Sequence, residues 1–87
     1  MSTFTLRIVT PALAYPDREV VSVDVPAEAG RLTVLARHQP LVCLVRKGEV
    51  RIGTGSAVEC WQVKAGVLRV QPSNVVLLVH GARPNAA

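Results

Sequence analysis

The placement of proline and glycine constrains this chain more than any other feature. Six prolines and six glycines are spread so evenly that no stretch longer than ten residues escapes both. Proline removes a donor and clashes inside a helix, and glycine raises the entropic cost, so a helix of about 11–12 residues has almost nowhere to form. Strands of about five or six residues fit between the breakers.

The intervening segments carry the matching pattern. In 3–9, Phe4, Leu6 and Ile8 fall on one face and Thr3, Thr5 and Arg7 on the other. Val21, Val23 and Val25 oppose Ser22 and Asp24, Leu32 and Val34 flank Thr33, and Val50 and Ile52 flank Arg51. A period of two marks a half-buried strand. Leu41–Val45 and Val75–Val79 are apolar on both faces. They are predicted to be either sandwiched between layers or turned outward against another protein. Turns are expected at Lys47-Gly48, Gly53-Thr54-Gly55 and Pro72-Ser73-Asn74, with no further element in 81–87. Short strands at this spacing predict an all-β sandwich or barrel.

A chain of 87 residues makes one domain. It buries only about 60–65% of the surface its unfolded form exposes, so docking on a partner would add to a modest stability. An apolar content of 49% argues against disorder. The formal charge of +4 fits an acidic protein partner, nucleic acid or a solvated surface, and no Lys/Arg run exceeds two residues. Cys43 and Cys60 lack metal or disulfide-framework spacing and are predicted to be free thiols in a reducing cytosol. Residues 1–10 alternate rather than forming the apolar core of a signal peptide, and nothing approaches the ~20 apolar residues of a membrane-spanning helix. A soluble chain is expected.

No constellation for catalysis is visible. The phosphate-cradling pattern G-x-x-x-x-G-K-[ST] does not occur, and Gly53-Thr54-Gly55 reads as a hairpin turn because neither a third glycine nor a helix follows. His38, Cys43, Cys60 and His80 match no familiar zinc spacing, and the same residues make no supported Cys/His nucleophilic pair. The six carboxylates, Asp17, Glu19, Asp24, Glu28, Glu49 and Glu59, sit in no motif that would separate their acidities. The expectation is a protein without catalytic residues, metal or cofactor. A small basic β-barrel that binds nucleic acid is the alternative, but Phe4, Tyr15 and Trp61 are too few and too scattered to form a base-stacking platform.

Residues 25–42, VPAEAGRLTVLARHQPLV, resemble the pattern V-P-x-x-x-G-x-L-G-[VI]-L-P-G-H-x-P-L-[VL] of the ε subunits of F-type ATP synthases. Gly30, Leu32, Val34, Leu35, His38, Pro40, Leu41 and Val42 fall at the matching places. Residues 47–52, KGEVRI, look like the family's K-P-G-x-x-R-I without its proline, and 63–72, VKAGVLRVQP, is similar to V-S-G-G-[FI]-L-E-V-Q-P. The opening FTLRIVTP, 4–11, is also typical of these chains. Thr33 stands where the pattern has glycine, and Ala36-Arg37 replaces Pro-Gly. Those glycines serve turn or bulge geometry, so the local backbone is expected to differ there. Arg31 occupies a position often acidic in the family, and Arg69 replaces a common glutamate.

The resemblance implies a small two-layer β-sandwich of short, mostly antiparallel strands over residues 1–82, with 83–87 as a short tail. It implies a non-catalytic rotor subunit of the central stalk, without cofactor, that bridges the γ subunit and the c-ring and couples ion-driven rotation to ATP synthesis or hydrolysis. No nucleic-acid partner is expected, and membrane association is indirect. The implied location is peripheral, on the cytoplasmic face of a bacterial-type energy-coupling membrane. By position, Thr10, His38 and Cys43 are expected to face γ, and Glu28 and Arg31 to lie in the loop that faces the c-ring. For these, the ordinary alternatives are an exposed imidazole at His38, core packing at Cys43 and a solvated charge at Arg31. Family chains continue into a two-helix hairpin that obstructs rotation, and from the end at Ala87 that hairpin and its self-inhibition are expected to be absent.

Overall fold

The computed structural model describes residues 2–85. Its strands are β1 (Phe4–Val9), β2 (Arg18–Val20), β3 (Ser22–Ala27), β4 (Gly30–Leu35), β5 (Leu41–Val45), β6 (Gly48–Gly53), β7 (Val58–Val63), β8 (Gly66–Val70), β9 (Asn74–Val79) and β10 (Ala82–Pro84). Among the described residues no element is helical, as the breaker spacing predicts.

Hydrogen bonding joins the strands in the order β10-β7-β6-β3-β5-β8-β9-β1-β2, with β4 paired to β3. Every pairing is antiparallel except that of β1 with β9. The sheet folds over at one corner, where β3 meets β5 through the single pair Ala27–Val45. Backbone N–H groups of Glu28 and Arg46 reinforce it by donating to the carbonyls of Leu44 (3.1 Å) and Pro26 (2.7 Å). The first layer is then β4, β3, β6, β7 and β10; the second is β5, β8, β9, β1 and β2.

The apolar phase of each strand turns into the space between the layers. Phe4, Leu6 and Ile8 of β1, Val23 and Val25 of β3, Val50 and Ile52 of β6, Leu68 and Val70 of β8, and Val75, Leu77 and Val79 of β9 are all buried. Burying a Val or Leu side chain contributes about 1.5–3 kcal/mol, and valine suits this core because its branched side chain packs on a pleated surface. No polar side chain is fully buried among the described residues.

The seam opposite the corner is closed by side chains. Tyr15 stands edge-on to Trp61 with ring centroids 4.9 Å apart, and its hydroxyl donates to the Ala82 carbonyl (3.1 Å). Arg18 of β2 reaches Glu59 of β7 across the same seam. The segment expected to form no element thus supplies β10, which pairs with β7 through Ala82–Val63, Arg83–Gln62 and Pro84–Trp61. Its pairing partner is distant in sequence, and an edge position tolerates Pro84.

Candidate functional site

The second layer has an unusual outer face. Inward positions of its strands feed the core, so alternate residues must point outward. Register places Leu44 opposite Val67, Val67 opposite Leu78, and Leu78 opposite Val9, giving an apolar row across β5, β8, β9 and β1. At about 4.8 Å per strand the row is roughly 14 Å long. The next row is Val42, Arg69, Val76 and Arg7. Val42, Leu44 and Leu78 are 68%, 55% and 46% exposed, which decides between the two readings of the doubly apolar strands: β5 and β9 are open on their outer side. A shallow pocket of about 370 Å³ at the end of the row is lined chiefly by Val9, Thr10, Pro11, Val67, Leu78 and His80. Exposed apolar residues gathered in one row make this face the candidate interaction surface.

The outer face of the first layer is ion-paired instead. Arg31 donates to the Asp24 carboxylate (2.9 Å) and to the Glu49 carbonyl (2.8 Å), and Arg51 donates to the Glu49 carboxylate (2.9 Å). The first layer thus gathers most of its outward charge into pairs, and its exposed apolar residues Leu35 and Val58 lie apart from them near one end.

The residues singled out in the sequence do not converge on one point. Thr10 lines the apolar pocket, with its hydroxyl donating to the Leu13 carbonyl and accepting from the Leu13 N–H, both at 3.0 Å. His38 lies at the other end of the strands, before β5, with Nδ1 2.8 Å from the Gln39 carbonyl. Cys43 sits between the outward Val42 and Leu44 and packs against the core, and burial pushes its thiol pKa up. Its strand meets β3 only at Val45, so the β5 edge at Leu41–Cys43 has no strand partner among the described residues. Glu28 is exposed in the turn between β3 and β4. Arg31 lies beyond that turn, on β4, with its side chain drawn back to Asp24.

No group of three or more potential metal ligands comes together among the described residues, and His38 and His80 lie at opposite ends of the sandwich. Both cysteines are free thiols. Phe4 and Trp61 are buried and Tyr15 leans on Trp61, so no aromatic remains on an outer face to stack a base. Sequence reasoning missed Val9 and Val67 as parts of the apolar row. Each has a charged outward neighbour two residues away, Arg7 and Arg69, which masks the stripe along the strand. Only register reveals it.

Comparison with known proteins identifies the sandwich. The family model described as the β-sandwich domain of the ATP synthase delta/epsilon chain matches residues 3–85. The ATP synthase epsilon chain of Bartonella quintana is 37% identical over 77 residues, covering 88% of this chain and 56% of the relative. That of Anoxybacillus flavithermus is 35% identical over 82 residues, covering 94% and 61%. The chain thus spans a little over half the length of these relatives. Among solved structures, a chain of the Euglena gracilis mitochondrial ATP synthase (OSCP/F1/c-ring) superposes with a TM-score of 0.89 at 16% identity, covering 94% of this chain and 53% of that one. A chain of the Tetrahymena thermophila mitochondrial ATP synthase central stalk and c-ring gives 0.80 at 12%, covering 94% and 66%. At these identities the two structures speak for the fold.

Proposed function

The chain belongs to the family of ATP synthase delta/epsilon β-sandwich domains, and on that footing we propose that it is a non-catalytic rotor subunit of an F-type ATP synthase. In this reading it joins the γ subunit to the c-ring and turns with both, coupling ion-driven rotation to ATP synthesis or hydrolysis. It lies peripherally on the cytoplasmic face of a bacterial-type energy-coupling membrane. The observation that carries the reading is the outward apolar row Leu44, Val67, Leu78 and Val9, in a chain matched to the family over nearly all of its length.

The two outer surfaces divide the work. The γ subunit covers the apolar face, with Thr10 at one end, His38 at the other and Cys43 on the open-edged strand between them. The turn carrying Glu28, with Arg31 beside it, meets the polar loops of the c-ring. Transmitting torque requires that the two surfaces not move relative to one another. A closely packed valine-rich core, folded at one corner and closed at the opposite seam, meets that requirement.

Co-expression with the γ subunit and c-ring of the same organism tests the proposal. The chain is expected to co-purify with both, and Leu78→Asp to abolish γ capture while leaving thermal unfolding unchanged. Failure of the unaltered chain to co-purify with γ would overturn the reading.

A further inference from the structure

We propose that the apolar face selects its partner through Arg69, which requires a carboxylate on the segment that covers it. The inference rests on the assignment of this face to γ. Arg69 stands in the second row of the face, flanked by Val42 and Val76 and one row from Val67. Rows on one side of a strand are about 6.8 Å apart, so whatever covers Leu44, Val67, Leu78 and Val9 covers Arg69 as well.

No internal counter-ion serves it among the described residues. Asp17 is held by Arg7 through two bonds of 2.7 and 3.1 Å, and Glu59 by Arg18. Asp24 and Glu49 are engaged by Arg31 and Arg51 on the opposite face. Glu19 accepts from the hydroxyls of Thr3 and Thr5, and Glu28 lies in the β3–β4 turn.

Arg69 also lines a notch of about 490 Å³ with Thr5, Arg7, Asp17, Ser73 and Asn74. Two guanidinium groups against one carboxylate leave it one positive charge in excess, and the Ser73 hydroxyl and Asn74 amide supply further donors, the Thr5 hydroxyl being given to Glu19. The notch lies along the second row, through Arg69, Val76 and Arg7, one row from the apolar one.

A guanidinium stripped of water with no counter-ion opposes docking, whereas a carboxylate placed against its planar fork makes a charge-assisted, paired hydrogen bond. The partner segment therefore carries apolar side chains with an Asp or Glu about 7 Å from them. A second copy of this chain fits poorly, because it would bring another unpaired Arg69 to the same face.

The test is titration calorimetry of the γ subunit of the same organism against the unaltered protein, Arg69→Gln, Arg69→Glu and Leu78→Asp. Arg69→Gln is expected to weaken binding about 10-fold and to flatten its salt dependence, and Arg69→Glu about 100-fold or more. Thermal unfolding should stay unchanged, since the side chain is exposed. Among γ variants with single Asp or Glu residues changed to Lys, one should restore binding of Arg69→Glu. Arg69→Glu binding within twofold of the unaltered chain while Leu78→Asp fails would leave the docking face standing and overturn the role of Arg69. Absence of any restoring γ variant would overturn it too. If the unaltered chain does not bind γ, the assignment of the face fails, and this inference with it.

Discussion

Arg18 on β2 grips Glu59 on β7 across the open seam of the sandwich, through bonds of 2.8 and 2.5 Å. The hydrogen bonds from Arg18 hold the Glu59 carboxyl below its ordinary value of 4.5. A depressed folded value means that the pair's stabilisation is complete above the unfolded value and is lost as pH falls through the folded one. Glu59 is 43% exposed, so solvent screening limits the pair to about 0.5–1 kcal/mol. Glu59→Gln should lose that amount in denaturant unfolding at pH 7, and the gap to the unaltered chain should close as pH is lowered from about 5. A gap independent of pH would contradict the linkage.

Gly66 opens β8 directly beside Val79 of β9, its antiparallel neighbour. A Cβ at this position would stand 2.0 Å from the Leu78 carbonyl oxygen and 2.6 Å from the Val79 Cα, both backbone atoms that cannot swing aside. Gly66→Ala should cost about 3 kcal/mol or more, a loss of roughly 12–24 °C in Tm for a domain of this size. Scanning calorimetry measures it directly, and a shift under about 4 °C would show that the strands can part cheaply.

Arg37 has a φ of 63°, in the left-handed region, where the resembling sequence pattern has glycine. An L side chain raises the energy there by about 1–2 kcal/mol, and glycine gives part of that back through its greater unfolded-state freedom. Arg37→Gly should therefore stabilise the chain by about 0.5–1 kcal/mol, read as a rise in the denaturation midpoint. The turn is otherwise well tied, with the Arg37 N–H donating to the Pro72 carbonyl at 3.0 Å.

Cys43 should be a slow thiol. Burial raises its pKa, so less of the reactive thiolate is present at neutral pH than in a free cysteine. Alkylation with iodoacetamide at pH 8, followed by mass spectrometry, should proceed several-fold more slowly at Cys43 than in the urea-unfolded chain. Equal rates in the two states would mean that the side chain does not stay packed against the core.

The strands with a clean period of two were legible because each buries one phase and wets the other: Phe4–Val9 is the plainest, with three buried residues alternating with three that are not. β2 is three residues long and shows no period at all. β10 is only three residues long, ends on Pro84 and exists because β7 lies beside it, a long-range fact that no local pattern encodes. The site divides in the same way. Leu41–Val45 and Val75–Val79 left open whether their second apolar face was sandwiched or turned outward, and Val9 and Val67 joined that face only through register, hidden beside Arg7 and Arg69. Arg31 was expected in a loop and instead lies on β4, where the backbone pairs it with Pro26 and its guanidinium reaches diagonally to Asp24.

The parallel pairing of β1 with β9 has a consequence for how the chain is made. Thr5 through Val9 pair with Asn74 through Leu78, so one edge of the strand carrying Phe4, Leu6 and Ile8 waits for a partner that is synthesised roughly 70 residues later. At about 5–20 residues per second that is roughly 4–14 s with three large apolar side chains uncovered on the nascent chain. β2 covers one edge of β1 early, but until β9 clears the ribosome the other edge stays open, and a chaperone or another strand can claim it first.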